Sequence, residues 1–88
     1  MGHCINYATC ANKDINKCLK RHLATAYDPY ESNGYHGNMT VHKDIICKNR
    51  DEAEKKIEEL DRGWYDDHAV RYKEGRKLMW LIKYEYHC

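Results

Sequence analysis

Alternation and helical spacing divide the chain into six elements. In "HCINYATC" (3–10), Ile5, Tyr7 and Thr9 fall on one side of a strand and Cys4, Ala8 and Cys10 on the other. "NKDINKCLKRHLATAY" then places Ile15, Cys18, Leu19, His22, Leu23 and Ala26 on one helical stripe, with Asn12 as the expected N-cap and Asp14 near the positive helix end. "MTVHKDIIC" (39–47) reads as a second strand with Met39, Val41, Ile45 and Cys47 on one face. "NRDEAEKKIEEL" is the clearest helix: Asn49 and Glu52 form an Asn version of the capping box, and Ala53, Ile57 and Leu60 make a narrow buried stripe. Gly63 stands where that helix would stop. "DDHAVRYK" and "KLMWLIKYEYHC" are two strands joined around "EGR", a hairpin with a Gly-containing turn.

The order strand, helix, strand, helix, strand, strand predicts an α+β fold. We expect a two-layer sandwich, with a four-stranded, mainly antiparallel sheet carrying both helices on one face. Eighty-eight residues make one domain, 1–88, with one small core. The last strand complicates this layout. Leu78, Trp80, Ile82, Tyr84 and Tyr86 point one way, yet Met79 and Leu81 make the other side apolar as well. A strand apolar on both sides is covered on both sides. A loop, a ligand or a second subunit would supply the extra cover, and a homo-oligomer is expected.

Composition narrows the function classes. A chain 42% hydrophobic and 33% charged is globular, and its longest apolar run, "LMWLI", is too short to span a bilayer. The opening "MGHCINYATC" has neither a charged n-region nor a long apolar h-region, which predicts a cytoplasmic protein. Fifteen Lys and Arg against fourteen Asp and Glu give little support to a backbone-gripping nucleic-acid binder, although local basic patches remain compatible with that balance. Five cysteines without a leader argue against a secreted disulfide framework.

The loop "DPYESNGYHGN" concentrates Tyr30, Tyr35 and His36 beside glycines, and Trp64 with Tyr65 lies in another loop. Flat aromatic side chains at such places suit stacking on a nucleobase-like ligand. Lys43, Arg50, Arg62, Arg71 and Arg76 are candidates for phosphate contacts. Tyr30, Tyr35, His36, Trp64 and Arg71 are therefore the candidate ligand-binding residues. The ordinary alternatives are that Trp64 closes the second helix over the core and that the Tyr-rich loop packs on the sheet edge.

Metal and catalytic chemistry have weaker signals. "MGHC" and "EYHC" would bring His3, Cys4, His87 and Cys88 together if the first and last strands pair antiparallel. Adjacent strand residues point to opposite faces, so packed termini are the expectation, and Cys18 with His22 reads as buried packing. No metal and no cofactor are expected. No Gly-rich phosphate loop and no G-x-S-x-G elbow occurs. "DD" at 66–67 beside His68 offers a carboxylate–histidine pair, for which a solvated turn is the ordinary explanation.

The tail "RGWYDDHAVRYK…LMWLIKYEYHC", with its "AVRY" strand and W-L-x-K-x-E-Y-H-C finish, resembles small uncharacterised proteins of Firmicutes and their phages. The resemblance covers the last third of the chain and names no chemistry. It implies a mobile-element setting in a bacterial host, where compact proteins act by capturing a defence signal or docking on a defence protein. The resulting expectation is a non-enzymatic binding protein that sequesters a nucleotide-like molecule or docks on a host protein. The rival is a small hydrolase of a nucleotide or phosphodiester using His36, His42 or His68 as acid or base. A third reading is a structural zinc protein.

Overall fold

The computed structural model describes residues 3–11, 13–19, 38–63 and 66–87. Strand β1 is His3–Cys10, β2 is Asn38–Cys47, β3 is Asp66–Glu74 and β4 is Lys77–His87. Helical residues 15–19 belong to α1, and α2 is Arg50–Leu60. The strands form one sheet in the order β1-β4-β3-β2. β4 pairs antiparallel with both β1 and β3, whereas β2 runs parallel to β3. The α+β class holds, and the sheet is mixed because α2 carries the chain across from β2 to its parallel neighbour.

The helices do not share a face. Ile15 and Cys18 of α1 pack with Ala69, Trp80, Ile82 and Tyr84. Ala53 and Ile57 of α2 pack with Val70, Tyr72 and Leu81 on the opposite side. This corrects the expected layering, and its cause lies in β4. The doubly apolar stretch Met79–Ile82 is buried under α2 on one face and α1 on the other, so the chain itself provides the second cover. No helix among the described residues is long and apolar enough to cross a membrane.

Capping follows local chemistry. Asn49 Oδ1 accepts the Glu52 N–H at 2.8 Å, and Glu52 Oε2 reaches back to the Lys48 N–H at 3.1 Å. At α1 the Asp14 Oδ1 accepts the Asn16 N–H at 3.0 Å as a cap, and Asn12, the expected cap, lies outside the described residues. The β3–β4 turn is Gly75-Arg76, with Gly75 at φ 63°, a left-handed conformation that suits glycine in a two-residue hairpin.

One irregularity shapes β2. Val41 pairs with Ala69 and Ile46 with Arg71, so residues 42–45 face Val70 alone. The bulge reverses the alternation. Met39 and Val41 therefore pack on the α1 side, whereas Ile45 and Cys47 pack on the α2 side, not on one face as their spacing predicts. Cys10, at the end of β1, and Cys18, in α1, have Cα atoms 6.0 Å apart and form a disulfide. The reading of Cys18 as a free packed thiol, or as a ligand partnered with His22, is corrected by that bond. Among the described cysteines Cys47 is free and buried.

Candidate functional site

Two polar clusters occupy opposite faces of the sheet. The first surrounds Arg71. Its strand position pairs it with Trp80, and its guanidinium Cζ lies 4.9 Å from the centre of that indole. Trp80 is only 2% exposed, so Arg71 is the polar roof of a buried aromatic ring. Its Nε is buried and has no hydrogen-bond acceptor among the described residues.

Arg71 and Trp80 border a recess of about 540 Å³, rimmed by Lys13, Arg76 and Lys77 with Leu78 on the apolar side. A recess of about 240 Å³ shares Lys13, Arg71 and Trp80 and adds Lys43 and Asn16. A third, of about 420 Å³, shares Arg76, Lys77 and Leu78 and adds Ile46 and Lys73. These shared walls make one trough. The cations arrive from five places along the chain: Lys13 before α1, Lys43 from the β2 bulge, Arg71 and Lys73 from β3, Arg76 from the turn and Lys77 from β4. Among the described residues Asp14 is the one carboxylate in the three linings. For a chain of formal charge +1, this places a strongly cationic surface at one end of the sheet.

The second cluster lies under α2. Lys83 is 1% exposed and sits on β4 between Tyr7 and His68 in register. Its Nζ donates to Asp61 Oδ2 at 2.8 Å, to the Asp66 carbonyl at 3.0 Å and to Glu85 Oε2 at 3.1 Å, with Asp67 Oδ1 3.9 Å away. Asp67 Oδ1 also accepts the Glu85 N–H at 3.1 Å. Burial acts to lower the Lys83 ammonium, but the hydrogen bonds to Asp61 and Glu85 outweigh it and hold its pKa above the ordinary 10.5. Burial likewise acts to raise Asp61, and the hydrogen bonds from Lys83 and the Gly63 N–H carry it below 3.8.

Beside Lys83 runs a carboxylate–imidazole chain. Asp66 Oδ2 accepts the Arg62 N–H at 2.8 Å and lies 3.1 Å from His68 Nε2, off the ring N–H direction. His68 Nδ1 lies 2.8 Å from His42 Nε2, with the two ring planes 24° from parallel. A carboxylate at Nε2 favours the proton there, leaving Nδ1 to accept from His42 Nε2–H. The Arg62 N–H, followed by contact with His68, holds Asp66 below the ordinary carboxylate value of 3.8. Burial, followed by the charge of His68, lowers His42 below 6.5.

These shifts share one sign. His42, Asp61 and Asp66 all bind protons less readily folded than unfolded, so their stabilisation is present at neutral pH and is lost on acidification. Unfolding free energy should therefore fall as pH drops below 6.5, where the unfolded His42 protonates, and again below 3.8 as the carboxylates do. A urea-unfolding series between about pH 8 and about pH 3 checks this, and His42→Gln should flatten the upper step. A flat profile down to about pH 5 in the unaltered protein would contradict the His42 assignment.

Of the residues singled out from sequence, Arg71 lies at the centre of the trough. Lys43 and Arg76 join it there, whereas Arg50 is on α2, bonded to Glu54 at 3.2 Å. Tyr30, Tyr35, His36 and Trp64 lie outside the described residues. "DDH" is not a solvated turn: Asp67 and His68 are 0% and 5% exposed within β3. Sequence reading missed Lys83 and Glu85, whose only signal is their alternation with Met79 and Leu81. It also missed Lys13, Lys73 and Lys77. His3 pairs with His87 in register, so the first and last strands are antiparallel neighbours, and Cys88 lies outside the described residues. Among the described residues no group of three His, Cys, Asp or Glu is placed to hold a metal ion. No family model, no curated protein and no solved structure matches the chain.

Proposed function

We propose that this protein is a non-enzymatic capture protein for a phosphate-bearing, nucleotide-like ligand, held in the trough around Arg71. The supporting observation is the convergence of Lys13, Lys43, Arg71, Arg76 and Lys77 on recesses floored by Trp80, with one carboxylate among the described lining residues. A guanidinium seated on an indole keeps its outer donors for a phosphate, and charge-assisted hydrogen bonds supply the grip. Sequestration needs affinity alone. In the phage setting that the tail's resemblance implies, such capture would withdraw a signal in the host cytoplasm.

Arg71→Ala should weaken binding of ATP, used as a probe nucleotide, by about 10–100-fold, whereas Arg71→Lys should recover part of the loss because it restores charge without the fork. Isothermal titration calorimetry reads both. Arg76→Ala with Lys77→Ala, at exposed positions in the turn and at the start of β4, should weaken binding without altering the core. Unchanged affinity in all three variants would place the ligand elsewhere.

The rival reading, hydrolysis of a nucleotide or phosphodiester, has one observation in its favour: the Asp66–His68–His42 chain ends on a half-buried imidazole. Its weakness is placement. His68 shares the α2 face with Lys83, while Arg71, three residues on, faces α1. The acid–base groups and the cationic trough therefore do not converge on one substrate. ATP recovered intact after incubation with the protein supports capture, and a changed product that disappears with His42→Gln supports hydrolysis.

A further inference from the structure

We propose that the trough takes a short single strand of nucleic acid, gripping two or more consecutive phosphates, in preference to a lone nucleotide. This rests on the capture reading above and names its ligand class. The central recess of about 540 Å³ is already of a size that holds one small ligand. It continues at both ends. On one side the 240 Å³ recess carries Lys43, and on the other the 420 Å³ recess carries Lys73. A single nucleotide seated at Arg71 fills the middle and leaves both outlying cations without a phosphate. A chain of phosphates matches charges strung along a channel.

The apolar groups follow the same line. Leu78 is 39% exposed and Ile46 is 51% exposed, and both border the outer recess among Lys73, Arg76 and Lys77. Exposed aliphatic surface between cations offers the faces of unstacked bases a place to rest while the backbone follows the basic rim. Arg71 adds a guanidinium plane for a base, a partner that single strands use and that the interior of a duplex denies them. The overall charge of +1 conceals this patch, since many of the compensating carboxylates lie on α2 or in the cluster around Lys83.

Fluorescence anisotropy on the intact chain, with labelled thymidine mono-, tri- and hexanucleotides, tests the proposal. Affinity should rise at least ~10-fold from mononucleotide to trinucleotide, and log affinity should fall with log salt at about −0.7 for each phosphate held, so about −2 for three. Lys43→Ala and Lys73→Ala, one at each end, should reduce the gain with length. Ile46→Ser with Leu78→Ser should weaken the trinucleotide more than inorganic tripolyphosphate. A mononucleotide bound as tightly as the longer strands overturns the proposal and leaves capture of a single nucleotide standing. Tripolyphosphate competing as well as the trinucleotide, or a duplex binding more tightly than the single strand, also overturns it. Absence of binding by any of these probes overturns the capture reading itself.

Discussion

Lys83→Met should cost about 3–5 kcal/mol of folding stability at neutral pH, the range for removing one partner from a buried ionic cluster. The substitution is close in volume, so lost packing contributes little. The cost arises from what is left behind. Glu85 is 2% exposed and Asp67 is 0% exposed, and each is an acid next to the ammonium that offsets its charge. Asp61, the C-cap of α2, loses its 2.8 Å hydrogen bond and with it the tie between helix and sheet. Adding Glu85→Gln to Lys83→Met should recover part of the loss, because an uncharged amide is cheaper to bury than a carboxylate that has lost its neighbouring ammonium. A double-mutant cycle by urea unfolding measures that coupling. The pH dependence gives a second check. The folded pKa of Lys83 is raised, so its contribution is fully present below 10.5 and fades only as pH rises through the higher folded value. A Lys83→Met protein as stable as its parent at neutral pH would show that the cluster is solvated and that the burial assigned to it is wrong.

This cluster marks where sequence reading stops. Strand and helix positions were legible because local chemistry sets them: the Asn49 cap, the Ala53 and Ile57 stripe, the Gly75 turn, and alternation in β1 and β4. Alternation fails only where it meets a bulge. In β2 the bulge turns Ile45 and Cys47 to the face opposite Met39 and Val41, and hydropathy alone does not register extra residues in a ladder. Lys83 and Glu85 look like solvent-facing residues at a strand end. They are buried because β4 is central, with β1 on one side and β3 on the other, and strand order is a non-local property. The trough was illegible for the same reason. Its cations come from positions 13, 43, 71, 73, 76 and 77, and only folding brings the first two to the others. Arg71 was within reach of a sequence reading. Its partnership with Trp80 required the register of the hairpin.

Breaking the Cys10–Cys18 bridge should cost about 2–3 kcal/mol, as chain-entropy reasoning gives for so short a closed loop. It should also loosen the trough. The bridge spans a sequence separation of 8, and the segment it closes contains Ala11, Lys13, Asp14, Ile15 and Asn16, which line the central and 240 Å³ recesses. One wall of the proposed ligand site is thus held at both ends, by β1 at Cys10 and by the core at Cys18, which is 1% exposed. Without the bridge, Ile15 and the neighbouring helical turn must hold that wall by packing alone. Reduction with a phosphine should lower the urea midpoint and weaken ATP and oligonucleotide binding together, and Cys10→Ser with Cys18→Ser should reproduce both effects without reductant. Equal stability and equal affinity with and without the bridge would mean that the wall is held by packing and that the disulfide is incidental to the site. The outcome also bears on where capture would operate. A reducing cytoplasm disfavours disulfides, so a protein whose grip needs this one would hold its ligand less tightly there.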